Sequence, residues 1–210
     1  MPPGQIRLCG ITLMLDRPVC YCQVVQRTNT VGARERLLEV AGRLFYADGI
    51  HAVGVDRVIA EAGVAKATLY AHFSGKEELV AAYLCQRSAE WQAWIDGSLP
   101  TLAKDPAGRV LALFGLLAER FSAPNYRGCP FINAAAEYPG QGLVSEQISA
   151  HRARVRQLFR RLVDEVGHPD ASGLTETLMV LYDGAMVSAQ LDANPRAAHH
   201  AQLVADRMLQ

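Results

Sequence analysis

The stretch that decides the fold runs from Asp56 to Leu79 and reads DRVIAEAGVAKATLYAHFSGKEEL. Its apolar residues recur three and four positions apart, which predicts two short helices, about Asp56–Ala62 and about Lys66–His72. Gly63 lies in the turn between them, and a turn this short forces the two helices to cross steeply. The spacing is therefore that of a helix-turn-helix, in which the first helix supports the second.

The second of these helices is predicted to present hydrogen-bond donors outward. Leu69 and Phe73 are expected to point inward, whereas the other side carries groups that can bond phosphate oxygens or base edges. No acidic residue lies between Glu61 and Glu77, so this side is predicted to be a local basic patch. The alternative is an ordinary helical bundle, in which Tyr70 packs half-buried. The candidate DNA-binding residues are Lys66, Ala67, Thr68, Tyr70, His72 and Lys76.

Helical patterning extends to both sides of this stretch. A preceding helix begins near Thr30 and ends at Asp48-Gly49, where glycine can adopt the left-handed conformation that terminates a helix. Residues 1–28 show no helical or strand period, so we interpret them as a poorly ordered extension or as the result of a start codon set too early. The predicted divisions are 1–28 for this extension, 29–75 for the helix-turn-helix domain and 76–210 for a larger helical domain.

The rest of the chain predicts helices alone, so the expected fold class is all-α. A Ser-x-x-Glu capping box at Ser74 and Glu77 predicts a fourth helix, which runs to about Asp96. The pair Asp105-Pro106, an N-cap followed by proline at the first helical position, predicts the fifth. The remaining helices are predicted at about Pro130–Glu137, Leu143–Val166, Ala171–Leu191 and Pro195–Met208.

Composition excludes several classes of protein. Lys+Arg and Asp+Glu both number 21, so the net charge is zero and any site for a polyanion must be a local patch. No apolar run approaches the roughly 18 residues that a membrane helix needs, and five irregularly spaced cysteines favour the reducing cytoplasm. The chain shows no Gly-rich phosphate loop, helical metal-binding histidine pair or acid–base pair, so we expect neither an enzyme nor a bound metal or cofactor.

The stretch from Asp56 to Leu79 resembles the DNA-binding domain of the TetR family of bacterial transcriptional regulators, and the resemblance covers about residues 30–80. Ala-Gly-Val, Thr-Leu-Tyr-x-His-Phe and Lys-Glu-x-Leu occur together at the family's spacing. One departure is Val53-Gly54, where the family often carries a serine or threonine that caps the second helix and contacts phosphate. This departure lowers the affinity for DNA that we expect.

The resemblance also implies roles for individual residues. Lys66 and Ala67 occupy base-facing positions, where a lysine can donate to guanine and a methyl group can pack on thymine. Tyr70 matches a backbone-contacting position that sometimes reaches a base, and Lys76 matches a phosphate contact at the start of the fourth helix. The positions that contact the DNA backbone in the family match Thr68, Tyr70, His72 and Lys76.

The resemblance further implies that the C-terminal part binds a small-molecule effector and forms a dimer. The ligand-binding candidates, mostly aromatic with two polar groups to orient a ligand, are Trp94, Phe114, Phe121, Phe131, Asn133, Glu137 and Tyr182. The dimer-interface candidates form a stripe that could instead face the protein's own core: Leu178, Leu181, Ala185 and Ala189. Cys129, at a helix start whose dipole could lower its pKa, is either a thiol sensor or an inert buried cysteine.

These features predict a ligand-responsive DNA-binding transcriptional regulator. We expect a repressor that binds a near-palindromic operator as a homodimer and is released by a small-molecule effector of unknown identity. Its expected partners are double-stranded DNA, the effector and a second copy, with no membrane. The alternative is a ligand-independent architectural DNA-binding protein, which would lack an internal cavity.

Overall fold

A computed structural model describes residues 32–210, and the extension predicted at residues 1–28 lies outside them. Within the described range the chain forms nine α-helices and no strand, which confirms the all-α prediction. None of these helices combines the length and the hydrophobicity that crossing a bilayer requires. The helices are α1 (Ala33–Asp48), α2 (Val55–Ala62), α3 (Lys66–His72), α4 (Lys76–Leu102), α5 (Pro106–Phe121), α6 (Pro130–Glu137), α7 (Leu143–Val166), α8 (Ala171–Leu191) and α9 (Ala197–Met208).

Most helix ends lie where local chemistry predicts them. The side chain of Asp105 accepts a hydrogen bond from the backbone N–H of Gly108 at the start of α5, with Pro106 in the first turn. Gly63 ends α2 with a φ of 63°, a left-handed conformation that costs a glycine little. These ends are predictable because each depends on residues within four positions of one another.

The start of α4 differs from the predicted capping box. The carboxylate of Glu78, not that of Glu77, accepts hydrogen bonds from the backbone N–H of Ser74 at 2.7 Å and from its hydroxyl at 2.8 Å. Glu77 instead accepts from the backbone N–H of Leu143 at 3.0 Å, at the first residue of α7. The predicted capping box is therefore wrong in its acidic residue. The carboxylate of Glu77 bonds the start of α7, and Glu78 takes its place beside Ser74.

The end of α4 also differs from the prediction, because the helix continues past Asp96 to Leu102. Ile95 and Leu99 are both buried in the C-terminal core, so packing holds this last part helical even though Pro100 lies within it. The helix is therefore long enough to join the two halves of the molecule.

Two apolar cores organise the helices, and α4 contributes to both. The N-terminal core is formed by α1, α2, α3, the first part of α4, part of α6 and the start of α7, and it includes Leu69, Leu79 and Phe131. The C-terminal core is formed by the end of α4 with α5, α7, α8 and α9, and it includes Ile95. Helices α4 and α7 therefore contribute to both cores, and α6 packs on the N-terminal core.

The stripe on α8 that was predicted to face a partner packs inside the C-terminal core. Leu178, Ala185 and Ala189 are buried, and Leu181 is partly buried against the same core. Helix α9 packs in the same core through small buried residues, namely Ala197, Ala198, Ala201 and Ala205. The three buried residues therefore pack within the chain, which corrects the dimer-interface prediction for Leu178, Ala185 and Ala189.

Candidate functional site

Helix α3 is anchored on one side and exposed on the other. Leu69 is 0% exposed and Phe73 is 2% exposed, so both insert into the N-terminal core as the sequence predicts. Tyr70 is 48% exposed, and Thr68 is half-buried. The exposed residues of this surface are Lys66, Ala67, Tyr70 and His72. We call the side formed by these four residues and Thr68 the α3 outer face.

An acidic residue that the sequence pattern overlooked lies beside the α3 outer face. The Lys66 ammonium donates to Asp56 Oδ1 at 3.0 Å, and both side chains are exposed. This hydrogen bond raises the pKa of Lys66 and keeps it charged. The sequence has no acid between Glu61 and Glu77, but the folded surface does carry one beside α3. It is Asp56, which comes from the first turn of α2.

Lys76 lies at the N-terminus of α4, half-buried rather than fully on the surface. Its Nζ lies 3.4 Å from the backbone carbonyl oxygen of His51, in the turn that precedes α2. Burial lowers the pKa of Lys76, and the nearby carboxylate of Glu137 acts in the opposite direction. The start of α2 itself has no side-chain cap, because Gly54 occupies the N-cap.

A cavity of about 440 Å³ lies among α4, α5, α6, α7 and α8. This volume falls within the range of small-molecule sites in proteins. Its aromatic wall consists of Trp91, Trp94, Phe121, Tyr126, Phe131 and Tyr182. Its charged and polar wall consists of Arg87, Glu90, Arg120, His151, Arg152 and Asp183.

The structure brings four of the seven predicted ligand-binding residues to this cavity, namely Trp94, Phe121, Phe131 and Tyr182. Phe114 lies behind the wall, 1% exposed, with its ring 6.3 Å from the ring of Tyr182. It belongs to the C-terminal core rather than to the cavity surface.

The two polar candidates, Asn133 and Glu137, do not line the cavity. Asn133 donates to the backbone carbonyl of Arg127 at 2.9 Å and accepts from Gln190 at 3.2 Å. Both candidates lie on α6, but a helical pattern does not show which neighbouring element each side chain reaches. Because neither side chain lines the cavity, the prediction that Asn133 and Glu137 orient a ligand is corrected.

Glu137 joins α6 to the N-terminal half. Its carboxylate accepts hydrogen bonds from the backbone N–H of Ile50, at 2.9 Å, and from that of His51. The ring of His51 stacks on Tyr138, and its Nε2 bonds the backbone carbonyl of Glu137. We call these contacts the Glu137 clamp. They hold the end of α6 against the turn between α1 and α2.

Sequence reasoning missed His151, which lies in the cavity wall. Its ring stacks on Phe131 with 3.6 Å between centroids and an angle of 3°, and its Nδ1 lies 3.0 Å from the hydroxyl oxygen of Ser88. Burial, aided by Arg154 and Arg152, lowers the pKa of His151 to about 3. The side chain is therefore neutral near pH 7. A lone histidine in an arginine-rich helix gives no sequence signal for such a position.

Cys129 also lines the cavity, at the N-cap of α6. Burial raises the pKa of its thiol despite the neighbouring backbone N–H groups. A raised pKa disfavours the reactive thiolate that a thiol sensor needs. Among residues 32–210, no cluster of three or more His, Cys, Asp or Glu side chains could hold a metal ion.

The arginines of α7 that repeat every four residues are paired with acids. Arg152 lies 2.8 Å from Asp183, and Arg156 lies 2.8 Å from Glu176. Arg160 pairs with Asp164 one turn further along the same helix. This pairing fits a solvated surface helix better than a second site for nucleic acid.

Residues 37–83, which span most of α1 to the first part of α4, match the family described as bacterial regulatory proteins, tetR family. The solved structure of SCO4454, a TetR-family transcriptional regulator from Streptomyces coelicolor, is 37% identical to this chain. The likeness covers 84% of this chain and 94% of that one, with a TM-score of 0.77. The chain belongs to the TetR family.

Other relatives agree with this assignment. A TetR-type regulator structure from Streptomyces avermitilis is 30% identical, covers 83% of this chain and 98% of its own, and has a TM-score of 0.72. The HTH-type transcriptional regulator LmrA of Bacillus subtilis is 31% identical over 106 residues, which cover 50% of this chain and 56% of LmrA. This TetR-family protein is therefore a transcriptional regulator with a DNA-binding helix-turn-helix formed by α2 and α3.

Proposed function

We propose that this TetR-family protein is a repressor that binds a near-palindromic operator as a homodimer and releases it when a small-molecule effector occupies the cavity. The observation that carries the proposal is the continuity between the two halves. Helices α4 and α6 both begin in the N-terminal half and form part of the cavity wall. A DNA-binding regulator shares a compartment with DNA, so we place it in the cytoplasm.

DNA binding is assigned to the α3 outer face. The exposed Lys66 and Tyr70 and the half-buried Thr68 offer donors to base edges and phosphates, while Leu69 and Phe73 fix the helix from behind. Ala67 and His72 lie on the same face, and Lys76 adds a cation at the free N–H groups of α4. One such helix reads half a site, so two copies are needed for a palindrome.

The second copy is assigned to the exposed side of α8 and α9. Val180 is 69% exposed and Leu191 is 76% exposed on α8, on the side opposite the buried Leu178 stripe. Regulators of this family act as dimers, so we propose that this exposed side packs against the same side of a partner. The apolar residues that the partner would cover are Val180, Val187, Leu191, Leu203 and Val204.

Coupling between the cavity and the DNA is assigned to α6. Phe131 and Ile132 line the cavity, and Glu137 at the other end of the same short helix clamps the turn before α2. A shift of α6 on ligand binding would therefore move the support of α2 and α3. Such a shift changes DNA binding only if the ligand has different affinities for the two arrangements.

The proposed domain boundary lies at the start of α4, with 29–75 as the helix-turn-helix domain and 76–210 as the effector and dimer domain. Leu79 and Tyr83 still pack in the N-terminal core, so the first turns of α4 contact both domains. The cavity disfavours the alternative of an architectural DNA-binding protein, for which no internal space is needed.

Fluorescence anisotropy with labelled DNA from upstream of the protein's own gene tests the proposal. We expect Tyr70→Phe and Lys76→Gln each to weaken DNA binding by about tenfold. Lys76→Gln should also reduce, by about one, the steepness of the plot of log affinity against log salt concentration. Lys104→Gln removes an exposed cation outside the α3 outer face and serves as the matched control. Binding that neither substitution weakens would contradict the assignment.

A further inference from the structure

The cavity walls indicate what kind of ligand the protein senses. We propose that the cavity takes a planar aromatic compound with one negatively charged group, and that the guanidinium of Arg120 binds that group. This inference rests on the proposed effector function and names the chemical class that the cavity fits. Three observations carry it: the aromatic walls, the paired acids and one wall arginine that no carboxylate among residues 32–210 pairs with.

The aromatic walls come from four different helices and the loop before α6. The tryptophans lie on α4, Phe121 lies on α5 and Tyr182 lies on α8. Trp91 Nε1 donates to the hydroxyl of Tyr182 at 3.3 Å, and the ring of Tyr126 lies 5.1 Å from that of Phe121. Rings fixed by such contacts favour a flat aromatic ligand, because aromatic pairs gain energy beyond simple burial when they stack or meet edge to face.

The acids of the wall are already neutralised within the protein. Glu90 accepts from Arg87 at 3.0 Å and from Gln86 at 2.9 Å. Asp183 pairs with Arg152 at 2.8 Å. A cationic ligand would therefore have to break an existing ion pair to find a carboxylate, which argues against that class.

Arg120 differs from the other arginines of the wall. Its guanidinium lies over the ring of Trp94, 5.5 Å from the centroid, and no acceptor among residues 32–210 hydrogen-bonds to it. His151 adds no charge near pH 7 because its pKa is lowered to about 3. Three arginines and two carboxylates therefore leave the wall with one positive charge in excess, at Arg120.

This geometry suits an anion attached to a ring. A guanidinium that lies over an indole ring can still present N–H groups at its edge, and that edge matches a carboxylate with two parallel hydrogen bonds. The ligand's aromatic part would then lie beside Trp94 and Phe121, in contact with the apolar wall. Neutral aromatic molecules would gain the same apolar contact but not the charge-assisted bonds.

Isothermal titration calorimetry of the full chain with matched naphthalene probes at pH 7 tests the proposal. The probes are 2-naphthoate, its neutral amide 2-naphthamide, and the cation N,N,N-trimethyl-2-naphthylammonium, with 2,4-dinitro-1-naphtholate as an anion without a carboxylate. We expect 2-naphthoate to bind about tenfold more tightly than the amide, since charge-assisted hydrogen bonds are stronger than neutral ones. If 2-naphthoate binds more tightly than the amide, a naphtholate that does the same shows that charge alone suffices, and a naphtholate that binds only as the amide does shows that a carboxylate is required.

Arg120→Gln is the decisive variant. It should bring the affinity for 2-naphthoate down to that for 2-naphthamide and leave the amide unchanged, whereas Arg161→Gln, an exposed arginine on α7, should preserve the difference. Equal affinities for all probes, tightest binding of the cation, or an anion preference that survives Arg120→Gln would overturn the proposal.

Measurements of DNA affinity with and without each naphthalene probe separate this inference from the proposed function. If 2-naphthoate binds through Arg120 but leaves DNA affinity unchanged, the ligand class stands and ligand-driven release fails. If neutral or cationic compounds release DNA while Arg120 has no effect, release stands and the proposed ligand class fails.

Discussion

The α3 outer face and the cavity wall differ in how they hold charge. On the α3 outer face, Lys66 and its partner Asp56 are both exposed, so water and phosphate compete easily for the ammonium. In the cavity wall, Asp183 is bonded to Arg152 and His151 is neutral, which leaves Arg120 as the excess charge. The comparison teaches that several weak contacts on one exposed face suit a polyanion, whereas a cavity with a single excess cation suits a ligand with one negative charge.

The largest expected effect concerns the two sides of α8. Val180→Asp together with Leu191→Asp should convert a dimer to a monomer, because the charges would be buried against a partner. Loss of the second half-site contact should weaken operator binding by about a hundredfold or more. Light scattering after size exclusion measures the assembly, and anisotropy measures DNA binding.

The control for this pair is Gln157→Asp, which adds a charge on an exposed position of α7. Leu178→Ala probes the buried side and should lower the free energy of unfolding by about 2–5 kcal/mol without changing the assembly. A doubly substituted protein that remains dimeric would place the interface elsewhere.

The next largest effect concerns His151 in the cavity wall. Because its pKa is lowered to about 3 in the folded protein, the unfolded chain binds a proton there below about pH 6.5 while the folded chain does not. The contribution of the neutral His151 to the free energy of unfolding is therefore fully present above about pH 6.5 and is lost as the pH falls towards 3. Between pH 7 and pH 5 the free energy of unfolding should drop by about 2 kcal/mol.

Thermal and urea unfolding of His151→Gln, compared with the unsubstituted protein at both pH values, measures this drop. His199→Gln removes an exposed histidine and is the control that should keep the full pH dependence. An identical pH dependence in His151→Gln would show that other groups cause it.

A smaller effect is expected at the Glu137 clamp, which connects the two regions compared above. Glu137→Gln keeps the shape but leaves one oxygen to accept from Ile50 or His51, while its NH2 group faces the other backbone N–H, so it should cost about 1 kcal/mol of stability. More specifically, it should reduce the change in DNA affinity that ligand causes by about threefold. Glu146→Gln on α7 is the control, and an unaltered ligand response would exclude α6 as the route.

The smallest effect is expected at the edge of the α3 outer face. Asp56→Asn removes the acid that pairs with Lys66, so we expect DNA affinity to rise by about two- to threefold at low salt. Anisotropy titrations at several salt concentrations measure it, with Asp96→Asn as an exposed control on α4. A lower affinity would show that the pair positions Lys66 for DNA.

The parts of the molecule that the sequence predicted well depend on neighbours along the chain. The ends of α5 at Asp105 and of α2 at Gly63, and the inward direction of Leu69, follow from residues within a few positions. The direction of Glu137 does not, because the N–H groups that it bonds belong to residues 86 and 87 positions away.

The α8 stripe shows a second limit of sequence reasoning. Leu178 and Val180 are both apolar, and periodicity cannot show which of two apolar sides meets the chain's own α9 and which meets solvent. The cavity shows a third, since its aromatic residues are predictable as apolar but Arg120 and His151 become cavity residues only when separate helices come together.

The position of the tryptophans has a practical consequence. The chain contains two tryptophans, Trp91 and Trp94, and both lie in the cavity wall. Indole fluorescence from this protein therefore originates beside the ligand site alone, without an attached dye. A compound that enters should alter the emission intensity or wavelength directly, which makes the unmodified protein its own optical reporter for screening compound collections.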